Sequence, residues 1–111
     1  MNPALAYLIL AIAAVLEAGG DALVRTGLHN PGLAVKAGLF GAGALTLFGY
    51  GLLVNAPPWD FGKLLGVYVT LFFVVAQLIN LIFFRTRPDL PILVGGLLII
   101  GGGLVITFWR P

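Results

Sequence analysis

The chain has 111 residues, of which 60% are hydrophobic and 9% charged, and its mean hydropathy is +1.10. A soluble domain carries about 25% charged residues and cannot present so apolar a surface to water, so a soluble globular fold is excluded. The absence of cysteine rules out disulfides, thiol catalysis and cysteine-based metal sites, and the net charge of +2, spread over helix ends, is no nucleic-acid footprint.

Four stretches approach the roughly 20 apolar residues that a spanning helix needs. The predicted helices run over about 3–26, 33–54, 62–84 and 90–109. None shows the alternation of a barrel strand, so the expected fold is an all-α membrane protein, a single four-helix domain over 1–111. No Lys or Arg precedes the first run, and that run carries two acids, so it is expected to be a retained helix and not a signal peptide. His29-Asn30-Pro31-Gly32, Asn55 to Asp60 and Arg85 to Asp89 hold the residues that end helices and form turns. Loops this short make neighbouring helices antiparallel. Loops one and three carry Arg25, Lys36, Arg85 and Arg87, against Lys63 and Arg110 on the other side. That positive-inside bias is faint enough to fit insertion in both orientations of a multi-pass protein in the cell (inner) membrane.

In the first helix, Glu17, Asp21 and Arg25 follow one another at four-residue spacing. An ionisable residue at bilayer depth marks a functional site by default, because an unpartnered carboxylate in hydrocarbon costs at least several kcal/mol. At about 100° per residue the three share one broad face with Leu10, Ala13, Ala14 and Val24. Gly20 borders that face, and the small residues leave room for a ligand or a neighbouring helix. Two like charges one turn apart in a low dielectric do not both ionise readily. Arg25 follows Asp21 in the favourable acid-then-base order, so Asp21 is expected to pair with Arg25 while the deeper Glu17 titrates. A carboxylate that titrates at depth can exchange a proton for a cation. The bland alternative is a structural ladder that only holds helices together; two acids against one base argue against it.

In the third helix, Lys63, Thr70 and Gln77 repeat every seven residues, with Asn80 near that stripe. Thr70 and Gln77 are expected to bond across to another helix. Tyr68 points almost the opposite way, either as a ring that stacks on an organic cation or as an ordinary buried tyrosine. Trp59 and Trp109 read as aromatic-belt anchors. The lone His29, in a loop, reads as solvent-exposed and not as a metal ligand. In the fourth helix, Gly95 and Gly102 lie seven apart on one face, suited to packing within one subunit or, as favoured here, to a subunit interface. The run Gly101-Gly102-Gly103 lies inside an apolar helix and makes no nucleotide site. No enzyme motif or cofactor motif is present.

On these residues the chain resembles the small multidrug resistance family of the drug/metabolite transporter superfamily. The likeness covers nearly the whole length: Met1-Asn2-Pro3, four helices in about 110 residues, Glu17-Ala18-Gly19-Gly20 with Arg25, Arg87-Pro88-Asp89-Leu90-Pro91 before the last helix, and the Gly95/Gly102 heptad. The resemblance implies an antiparallel homodimer, often of dual topology, dimerising through the fourth helices. It implies that Glu17 of both subunits binds protons and cationic substrate in competition. The chain departs from the pattern in helix three. Leu65 and Tyr68 stand where the family has a tyrosine and a tryptophan one turn apart, and Thr70-Leu71-Phe72 replaces its Gly-x-Gly bend. Asp21 adds an acid that most members lack. These departures point to a smaller or more polar cation than the family's aromatic drugs, or to a divergent four-helix branch of the family.

The expected activity is therefore proton-coupled export of a small cationic compound. Glu17 is the proton and substrate site, Asp21 a co-site, Arg25 its counter-charge and Tyr68 a lining residue. The rival expectation is an accessory subunit, half of a heteromer with a similar short chain, moving a lipid-linked substrate or polyamine. A passive channel ranks last, because nothing resembles a selectivity filter.

Overall fold

A computed structural model describes residues 1–109. Arg110, which enters the charge count above, lies outside the described residues. Four helices account for nearly all of the chain: α1 (Pro3–Leu28), α2 (Leu33–Val54), α3 (Phe61–Phe83) and α4 (Leu90–Phe108). All four are long and apolar enough to cross a membrane. The protein is thus an all-α membrane protein. The shortest helix, with 19 residues, spans about 28 Å at 1.5 Å per residue, close to the hydrocarbon thickness.

Three of the four helix starts are closed by a side chain, which satisfies backbone N–H groups left free there. The Asn2 side chain accepts the Ala4 N–H at 2.8 Å, and Pro3 occupies the first turn, where its missing N–H loses nothing. Asp60 and Asp89 do the same for α3 and α4, accepting from Lys63 N–H and Ile92 N–H, each at 3.1 Å. At the other end of α1, Lys36 Nζ donates to the Leu28 carbonyl at 3.1 Å. This charge at the carbonyl end complements the helix dipole, and α1 runs two residues beyond the predicted boundary.

The helices form an open slab of 53 × 34 × 19 Å, not a closed bundle. Its spatial order is α2, α1, α3, α4: α1 touches α2 and α3, and α4 rests on α3. Small residues set the α1–α2 approach. A Cβ on Gly43 would lie 2.7 Å from Val24 and 3.2 Å from the Gly20 carbonyl, and one on Gly20 would lie 2.8 Å from Leu47. Gly20 therefore serves the neighbouring helix. The α3–α4 seam uses the same device, with Gly96 against Phe73 and Gly103 against Thr70. The core is small. Leu10, Ala13 and Ala14 of α1 meet Leu64, Val67 and Tyr68 of α3 and Val54 of α2. Large apolar side chains elsewhere are exposed on every helix, as a lipid-facing surface requires.

Candidate functional site

Register builds the site. The turn at 29–32 reverses the chain, so the contacts Gly20–Leu47, Val24–Gly43 and Gly27–Phe40 step back along α2 as they step forward along α1. Continued by one turn, that register brings Tyr50 to the level of Glu17. Two reversals later α3 runs parallel to α1, with Tyr7 against Trp59 near one end and Glu17 against Tyr68 in the middle.

There the Tyr68 hydroxyl donates to Glu17 Oε1 at 2.8 Å. Tyr68 is buried and Glu17 half-buried, so the carboxylate has one oxygen tied to a fixed donor while the group remains open on the slab face. A hydrogen bond to a carboxylate is shorter and stronger than a neutral one, and it holds Glu17 in one orientation. The Tyr50 ring lies 5.7 Å from that of Tyr68, and the Phe72 ring 6.1 Å from it. The planes are tilted by 34° and 31°, so the ring bonded to the carboxylate stands in a cluster of three aromatic rings. Asp21 is exposed one turn along α1. An anion flanked by aromatic rings attracts an organic cation through both charge and ring quadrupole.

The pair expected between Asp21 and Arg25 is not formed. The Arg25 guanidinium instead lies over the Phe84 ring, 5.9 Å from its centroid. Arg25 stands in the last turn of α1, and from there its long side chain reaches the membrane boundary, where its charge keeps water. Among the described residues no cation pairs with either acid. The counter-charge role assigned to Arg25 thus has no support in the geometry.

The helix-three polar stripe is separate from the site. Thr70 packs against Gly103, and its hydroxyl points toward the Ile99 carbonyl at 3.5 Å, across to α4. Gln77 faces a shallow α3–α4 groove with Ile92 and Gly96, and its Oε1 is buried without a partner. Asn80 lies a turn further on, and its carbonyl accepts the Thr86 N–H at 3.1 Å. Thr70 and Gln77 therefore belong to the α3–α4 seam, and only Tyr68 of the helix-three candidates reaches Glu17. Gly95 and Gly102 are not used within the subunit, since a Cβ on either would meet nothing within 4 Å. His29 is exposed at the C-cap of α1, and among the described residues no three His, Asp or Glu side chains gather to hold a metal.

Tyr50 and Phe72 escaped the sequence reading. Counting the two helices outward from their shared turn puts Ala44 level with Glu17, so only the register of the folded helices, Gly20 against Leu47 and Val24 against Gly43, reveals Tyr50.

Fold and site define a small multi-pass membrane protein with an acid held at mid-helix. No family model and no solved structure matches the chain. A UPF0060 membrane protein of Herpetosiphon aurantiacus is 32% identical over 107 residues, covering 94% of each chain. One of Mycobacterium marinum is 35% identical over 103 residues, covering 91% of this chain and 90% of the relative. The chain belongs to the UPF0060 membrane protein family.

Proposed function

We propose that the protein is a proton-coupled exporter of a small cationic compound, working as an antiparallel homodimer in the manner of the small multidrug resistance family. The observation that carries this reading is the Tyr68–Glu17 hydrogen bond of 2.8 Å on the open face of a thin slab. A carboxylate at that depth with no cation among the described residues paired to it holds either a proton or a cationic ligand. The exchange of one for the other couples export to the proton gradient. Asp21, free of Arg25, adds a second acceptor, and Tyr50, Tyr68 and Phe72 supply the aromatic wall.

One slab cannot enclose a polar path. A second copy laid against the Glu17 face would enclose one and bring two Glu17 carboxylates together. Gly95 and Gly102, open on α4, suit the contact between copies. Insertion in both orientations fits the weak charge bias. The inner membrane is the compartment where a proton gradient drives such a device.

The test is uptake into proteoliposomes with an acidic interior, using guanidinium and tetraethylammonium as probes. Gradient-driven uptake by the wild type and its loss in Glu17→Gln is the expected result. Uptake that persists in Glu17→Gln overturns the assignment. Activity that emerges only when a second short chain is co-reconstituted favours a heteromeric accessory subunit.

A further inference from the structure

The side of α1 opposite Glu17 bears a different feature. Val15, Gly19, Ala22 and Thr26 fall on that side and floor an open groove of about 540 Å³, walled by Thr46 of α2 and Phe83 of α3. A Cβ on Gly19 would meet nothing within 4 Å, so the groove owes its mid-course depth to a missing side chain. From Val15 to Thr26 it runs about 16 Å along the helix axis, roughly the hydrocarbon depth of one leaflet.

The outer end of the groove is cationic. Phe84 lines it, and the Arg25 guanidinium is held over that ring. Arg85 follows directly. Its backbone is left-handed, with φ of 52°, in a turn closed by the Thr86 N–H bond to the Asn80 carbonyl. Such a position favours glycine, yet an arginine occupies it. The nearby acid of that loop, Asp89, is engaged as the α4 N-cap. Asp21 lies on the Glu17 side of α1.

We propose that this groove seats one acyl chain of an anionic phospholipid, with Arg25 and Arg85 gripping its phosphate. The bilayer supplies a chain and an anion at the separation the groove presents. The acid that loop two of an antiparallel second copy would bring to this end, Asp60, is already engaged as the α3 N-cap.

The test is native mass spectrometry of the detergent-purified protein titrated with phosphatidylglycerol or phosphatidylcholine. Phosphatidylglycerol is expected to be retained about thirtyfold more strongly, from two basic groups near the surface. Gly19→Leu fills the groove and removes the retention. Arg85→Gly relaxes the backbone, so it melts no lower than the wild type, yet its preference falls about fivefold. Equal retention of the two lipids, or full retention by Gly19→Leu, overturns the proposal. So does displacement of phosphatidylglycerol by equimolar glycerol phosphate, which would mark a site for free anions. A change in oligomer mass on Gly19→Leu without loss of lipid would make the groove a subunit contact instead.

Discussion

The two seams of α3 meet their partner helices in different ways. Toward α1 it presents Tyr68, which closes on an ionisable group and leaves that group open to the slab face. Toward α4 it presents Thr70 and Phe73, which close on glycine, and Gln77, which lines a shallow apolar groove. Both faces carry polar side chains in hydrocarbon, so polarity by itself does not mark function. The difference lies in what the partner helix offers: an acid on α1, bare backbone on α4.

That contrast can be broken most sharply at the structural seam. Gly103→Leu drives a side chain into Thr70 and should cost about 3 kcal/mol or more, read as a large fall in thermal unfolding temperature in detergent. The neighbouring Gly102→Leu should leave unfolding unchanged, because that position faces no other part of its own subunit, and should instead weaken dimerisation, read by cross-linking yield. Equal effects of the two substitutions would mean that α4 does not distinguish an inner from an outer glycine face.

At the α1–α3 seam the expected losses are functional. Tyr68→Phe keeps the ring and removes one hydrogen bond to the acid, worth about 1.5 kcal/mol. Apparent affinity for a guanidinium probe should weaken about tenfold with the fold intact, as checked by the concentration dependence of uptake. The smallest effect belongs to Thr70→Val. Its 3.5 Å contact is long, and interhelical bonds of this kind average about 0.6 kcal/mol, so unfolding should shift little and uptake not at all.

The contrast also explains how far the sequence could be read. Hydropathy located all four helices, because each run is long and the breaks at Pro31, Pro57-Pro58 and Pro88 are unambiguous. Glu17 stood out because a charge in an apolar run is rare. Thr70 and Gln77 of the predicted heptad do share the α4 side, whereas Lys63 lies over Trp59; periodicity tells which residues share a face and not which helix that face meets. The Asp21–Arg25 spacing suited an ion pair, yet Phe84, distant in sequence, holds the guanidinium instead. Tyr50 carries no local pattern, and only the pairing of α1 with α2 reveals it.

The central claim is that Glu17 exchanges a proton for a cation. Its most direct measurement is proton release from the detergent-purified protein when guanidinium or a quaternary ammonium compound is added, with Glu17→Gln as control. Saturable release by the wild type and none by the control is the predicted result. Cation binding without proton release, or release that survives in Glu17→Gln, would contradict it.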